Sequence, residues 1–444
     1  MLQRKKRAMK RVLILLGAIC LSPSVYCEET FVYRAKSIQL TPTQLISAGE
    51  ILVRGSKIIE VGPTVSRPKG SKVIDWGSFQ VYPGLISPGS SLGLAEINAL
   101  RPTRDEREVG SHTAEIEAWS AINPDSELIP VARANGITHS WVIPMGGTIS
   151  GISGLIRLEG WGIEEMTVRK SVALHLWWPG QGLATKFKTQ SVSDKKPKAL
   201  KEQDKERKRS LVELDEFFNR GEAYAKARQT KDLKVGKNPT WEAMLPFLNA
   251  EMPIVIHAED ARQITSALDW AKRRKYEIIL SGAKDSWKLA ERLAEEEVPV
   301  IFRHIFTAPP QSHQPHDLHF RAPGILAEAG VRVSIGLRLG AWAAANQRNL
   351  PYYAAQANAY GLSRADAIAS ITRNPARLLG MQDRLGTLEK GKDATFIACD
   401  GDLLDLRTQV VDMRIEGKRV SLASRHTRLR ERYLNRPNPY RKQD

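Results

Sequence analysis

From Gly84 onward, short apolar runs alternate with helical stretches, and this rhythm limits the possible folds more than any other feature of the chain. Residues 84–87, 138–144, 172–177, 253–257, 277–281, 298–302 and 331–336 read as strands. Helical patterns fill most of the intervals, as at 260–274 and 286–297. Strands alternating with helices imply a parallel sheet covered by helices. Their count and spacing fit a closed barrel better than an open sheet. Residues 31–83 read instead as short strands, with alternation around Gly55-Ser56 that signals a hairpin. Residues 385–420 return to strand character without a helix signal. The expected fold is therefore α/β: a (β/α)8 TIM-like barrel over residues 84–384, with a small composite β-sandwich domain built from residues 28–83 and 385–425. Residues 181–238 break the rhythm and read as an insertion on the rim. It is polar and lysine-rich before Leu211, partly disordered over 189–208, and helical from Leu211 to Arg228. Residues 426–444 read as a basic, frayed tail.

The N-terminus reads as an export signal. Arg4, Lys5, Lys6, Arg7, Lys10 and Arg11 precede ten apolar residues, 12–21, and Ser22-Pro23 ends the run. Ten residues fall short of a bilayer span and match a signal core. Cleavage after Cys27 or after Ser24 would give an exported protein, periplasmic or secreted; an uncleaved anchor is the alternative. Cys20 is a poor lipidation site because Ile19 is bulky. Three cysteines, Cys20, Cys27 and Cys399, cannot form a disulfide framework, and cleavage after Cys27 leaves Cys399 alone. No second long apolar run follows, so no membrane span is expected after cleavage.

The formal charge is +17, of which the residues before Val12 supply +6, leaving +11. Basic residues are scattered among acids: the densest cluster, 195–209, contains Glu202, Asp204 and Glu206. This reads as a solvated helix or linker rather than a specific nucleic-acid surface. An anionic surface polymer would attract it, in a salt-sensitive manner.

Three stretches carry a resemblance. EILVRGSKIIEVGP (50–63) is similar to N-terminal β-sandwich strands, VYPGLISPGSSLGL (81–94) to a first barrel strand, and residues 361–402 to a last helix with returning strands, of the amidohydrolase superfamily. The imidazolonepropionase-like and dihydroorotase-like branches resemble it most. The resemblance implies hydrolysis of amide, lactam or other C–N bonds. It also implies one or two divalent metals held by His-x-His after strand one, a carbamylated lysine on strand four, histidines on strands five and six, and an aspartate on strand eight. Such a metal acidifies a bound water and polarises the carbonyl.

Set in register, the chain departs from that pattern. Gly89 and Ser91 stand at the His-x-His positions, and Arg338 stands where the aspartate is expected. Glycine has no ligand atom, a serine hydroxyl is a poor zinc ligand, and a guanidinium repels a cation. His257 occupies the strand-five position and is the one residual metal ligand expected. Strand six (IILSG) lacks a histidine, while strand four holds His175 and no lysine, its alternation leaving His175 free to point either way. Ser91, His175, His304 and Arg338 are the candidate ligand-pocket residues, with a cationic floor suited to a carboxylate or phosphate. His313, His316 and His319 share a proline-rich loop that reads as a polar rim or a zinc site. Residues 145–154 read as a glycine-rich turn or a loop letting a ligand approach the backbone, and Trp161, Trp177 and Trp178 as packing or pocket lining.

Three functions follow: a catalytically degenerate homologue that binds a small molecule or pairs with itself or an active homologue; a working hydrolase with a relocated or single-metal site; or a basic envelope-associated binding protein. The first needs no cofactor, and the second a single zinc or manganese ion.

Overall fold

The computed structural model describes residues 29–183, 198–230, 236–309 and 312–437. The expected signal segment, Cys20, Cys27, much of the lysine-rich stretch and the end of the tail lie outside these residues.

The first strands, β1 (Thr30–Thr41), β2 (Gln44–Arg54), β3 (Lys57–Gly62) and β4 (Lys72–Pro83), pair antiparallel except for β1 with β4, which are parallel. Gly55-Ser56 forms the β2–β3 turn, and Gly55 takes φ +56° as a tight turn demands.

Next come β5 (Leu85–Ser90), β6 (Ile137–Val142), β7 (Ile149–Ile152), β8 (Gly154–Arg157), β9 (Thr167–Arg169), β10 (Leu174–Trp177), β11 (Ile254–Ala258), β12 (Ile278–Gly282), β13 (Val300–Phe302) and β14 (Val333–Ile335). The seven runs read from sequence are β5, β6 and β10 to β14. β5 pairs parallel with β6, and β10 to β14 form a continuous parallel arc. Between β6 and β10 stands an antiparallel insert, β8 against β6 and β7 against β10. Within the glycine-rich residues 145–154, Ile149–Ile152 form β7 and Gly154 begins β8, while 146–148 are bends. Gly151 sits in β7 at φ +116°, and a Cβ there would overlap Ile116 O.

The strands of the arc are buried on both faces, which is why they read as unbroken apolar runs. Alternation divides them. Ile254, Ile256, Ile278, Leu280, Val300 and Phe302 pack outward into the helical layer, while Val255, Ile279 and Ile301 form an inner cluster with Ile86 and Trp141. The helix Ala261–Arg274 shows how that layer forms. Asp260 and Gln263 make a reciprocal capping box, and Ile264, Ala267, Leu268 and Ala271 form its buried stripe.

The chain then returns to the first sheet as β15 (Phe396–Cys399), β16 (Val410–Ile415) and β17 (Lys418–Arg419). β15 pairs antiparallel with β4, joining both chain ends in one seven-stranded sheet. Tyr33, Trp76 and Phe396 pack in its core, with ring centroids 4.8–6.1 Å apart. Burial pushes the Cys399 thiol up to about 12. A chain lacking residues 1–27 is therefore expected to titrate no thiol with a disulfide reagent until it is denatured; a reactive native thiol would contradict this packing.

Two expectations need correction. The insertion helix runs Leu200–Gln229, starting eleven residues before Leu211. Pairs such as Lys208–Asp204 and Arg209–Glu213 support its polar first half, and Leu214, Phe217 and Phe218 bury its second. The tail is not frayed throughout: Arg425–Leu434 is helical, capped by Ser424, and Arg428 pairs with Glu127.

Candidate functional site

Alternation that points Val255, Ile279 and Ile301 inward also points His257, Ser281 and Arg303 inward, one layer nearer the C-terminal ends of the strands. Arg303 follows β13 directly and is 4% exposed. Its Nε donates to Ser281 Oγ (2.9 Å), Nη1 to Gly89 O (3.0 Å) and Leu337 O (2.6 Å), and Nη2 to Pro88 O (2.8 Å). Four of the five guanidinium N–H groups are thus accounted for, all by uncharged acceptors. A Cβ on Gly89 would overlap Nη2, and one on Gly336 would lie 2.9 Å from Nη1. The two glycines are what let the guanidinium approach the backbone.

This side chain spans a structural gap. β14 and β5 are the ends of separate sheets, with no ladder between them among the described residues. Arg303 bridges them at the C-terminal end of the strands, from Leu337 O to Pro88 O and Gly89 O. At the other end, Ile86 N–H donates to Ile371 O and Asn374 Nδ2 to Val333 O.

His175 and His257 meet beside this cation. Nδ1 of His175 and Nε2 of His257 are 2.9 Å apart and share one hydrogen bond. His257 stacks on Trp177 at 4.0 Å, and the Trp177 indole donates to Ser150 Oγ at 3.1 Å. Burial, helped by the charge of Arg303, pulls His175 down to about 3. His257 is held well below the usual imidazole value by burial, by His175 and by Arg303. Arg303 is itself pulled down to about 9 by burial, with Glu259 acting the other way.

The remaining candidates lie apart from this pair. Ser91 is buried, accepts the Gly340 N–H at 3.2 Å and touches Met145 Sδ at 3.6 Å. His304 bonds Glu259 at 2.6 Å through Nε2, and its Nδ1 has no partner among the described residues. Arg338 is exposed, because β14 ends at Ile335 and the chain turns outward after the buried Leu337. Ser91 and Arg338 therefore do not form a buried cationic floor; the buried cation is Arg303, which directly follows the apolar run of β13 and was not among the candidates read from sequence. Parity places it on the same face of β13 as Ile301, a signal that becomes usable only once the inner face is known. His313 and His316 are exposed, whereas His319 is buried with Nδ1 on Thr307 O at 2.6 Å, so the three do not converge. Trp161 is 93% exposed, and Trp178 packs outward on Trp270 and lines a surface cavity with Asp215 and Arg262.

Among the described residues, the side chains at the barrel centre that could bind a divalent metal are the imidazoles of His175 and His257, beside the Arg303 guanidinium. The facing nitrogens of His175 and His257 are engaged with each other, and a fixed positive charge already acts on both rings. Among the described residues, no three His, Cys, Asp or Glu side chains are grouped to hold a metal ion.

Comparison with known proteins agrees with this architecture. Residues 251–427 match the amidohydrolase family. The chain is 20% identical over 408 residues to amidohydrolase tasK of Hapsidospora irregularis, covering 83% of this chain and 39% of that protein, so it spans about two-fifths of the relative's length. A solved amidohydrolase from Thermotoga maritima MSB8 superposes with a TM-score of 0.76 at 21% identity, covering 88% of this chain and 99% of that one. Molinate hydrolase superposes with a TM-score of 0.55 at 13% identity, covering 94% and 100%.

Proposed function

We propose that this chain, which belongs to the amidohydrolase superfamily, keeps the superfamily's barrel as a binding scaffold and has given up metal-dependent hydrolysis of C–N bonds. One observation supports the reading above the others: the Arg303 guanidinium fills the space bounded by Gly89, Ser281 and Leu337. Gly89 stands at a position where the resemblance places a metal-binding histidine, and Ser281 lies on strand six, which the resemblance expects to carry another. A guanidinium can satisfy the surrounding carbonyls and hold a positive charge there. It cannot bind and acidify a water as a Lewis acid does, nor can it serve as a general base, since even at about 9 it stays protonated near neutral pH.

Elemental analysis of the untagged protein tests the reading. Zinc and manganese well below one ion per chain are expected, with no cleavage of simple lactams, hydantoins or dipeptides. Stoichiometric metal that disappears in His257→Ala, accompanied by turnover, would overturn it.

A further inference from the structure

Outside the barrel, the insertion helix Leu200–Gln229 and the helix Ala261–Arg274 border an open groove of about 590 Å³. That volume lies within the range of small-molecule pockets. Its base is apolar and firmly held. Trp178 and Trp270 line it beside Leu211, their rings packed edge to face at 5.4 Å. Trp270 Nε1 donates to Asp215 Oδ1 at 2.9 Å, and the ring packs on Phe218 from the insertion helix at 4.8 Å.

The polar groups of the groove divide into those already engaged and those left over. Asp215 accepts from Arg274 at 2.7 Å and from Arg273 at 3.3 Å, and Asp269 accepts from Arg292 at 2.6 Å. Both acids are thereby answered by arginine. Arg262 also lines the groove, and its guanidinium has no hydrogen bond or ion pair among the described residues. Thr265 and Ser266 follow it by three and four positions, so they share its helix face, and their hydroxyls are unpaired in the same sense. None of the three is enclosed: Arg262 is exposed, and Thr265 and Ser266 are half-buried.

We propose that this groove binds a small carboxylate with an apolar body. The carboxylate meets the Arg262 guanidinium and the hydroxyls of Thr265 and Ser266, all of which can donate to it. The apolar body lies on Trp178, Trp270 and Leu211. An organic cation is disfavoured, because the carboxylates it would seek are already paired. The inference goes beyond the reading of the barrel centre and stands whether or not that centre is catalytic.

Isothermal titration of the full chain at low salt with 4-phenylbutyrate, and with its neutral amide, tests the assignment. Saturable binding of the acid is expected, weakening as salt rises. The amide should bind about fivefold less tightly, the size of an exposed ion pair. Arg262→Gln should lower the affinity for the acid by a similar factor and remove the difference between acid and amide. Its side chain supports no other group, so the variant is expected to melt at the parent temperature. Ser266→Val, which keeps the charge and removes a donor, should weaken the acid as well. Absence of saturable heat, an amide that binds as tightly as the acid, or unchanged affinity in Arg262→Gln would each overturn the proposal.

Discussion

Arg303→Met is expected to destabilise the protein by about 3–5 kcal/mol, read from urea denaturation at neutral pH. Two large effects oppose each other here. Hydrogen bonds from a charged donor are worth about 1.5–3 kcal/mol each, and Arg303 makes four. Burying the guanidinium costs several kcal/mol, and its depressed pKa of about 9 is the sign of that cost. Methionine would fill much of the volume and remove the charge. It would also leave three buried carbonyls and the Ser281 hydroxyl without their donor, and open the seam between β14 and β5. Arg303→Lys should rescue little, because an ammonium presents its donors from one point and cannot reproduce the fork. Hydrogen exchange locates the effect: amides of β5 and β14 should exchange faster in Arg303→Met, while those of the seven-stranded sheet hold. A methionine variant as stable as the parent would show that the guanidinium does not close the barrel.

Acid should unfold this protein early. His139 and His175 are buried and held down to about 3, chiefly by desolvation, and His257 is lowered in the same direction. In the unfolded chain each returns to an ordinary value near 6.5. Between about 6.5 and 3 the unfolded state therefore binds protons that the folded state refuses, so stability falls as pH falls through that window. The loss is about 1.4 kcal/mol per pH unit for each such histidine, or about 2 kcal/mol each by pH 5. Denaturation curves at pH 7.5, 6 and 5 measure the slope, and His139→Gln should flatten it by roughly one histidine's share. A parent protein equally stable at all three values would mean that these imidazoles are not held neutral.

Both predictions depend on residues whose importance was unevenly visible. The strands were legible because a parallel strand buried on both faces leaves an unbroken apolar run. The seven runs read from sequence are the seven parallel strands observed. The antiparallel strands β7 and β8 were not legible, because their glycines signal turns locally and are tolerated as strand only where Ile116 and Trp119 pack close against them. His257 was found by its place in the pattern. His175 could be located but not aimed, since alternation alone does not say which face of a strand is inside. Its direction follows from its hydrogen bond to His257, a residue 82 positions away.

By itself, the sequence determined the barrel strands, the β domain made from both chain ends, and the presence of Gly89 and Ser91 at the end of the first barrel strand. These are local matters: apolar periodicity, turn chemistry and the identity of a side chain. Only the tertiary structure decided what packs against that strand end. Arg338 and Arg303 are both strand-end arginines in a basic chain, and nothing local distinguishes them. One is exposed because its strand ends early and the backbone turns away. The other is enclosed because Gly89, Gly336 and Ser281, distant in sequence, leave room and acceptors for a guanidinium. A buried charge is permitted only where its partners converge, and convergence is a property of the folded chain.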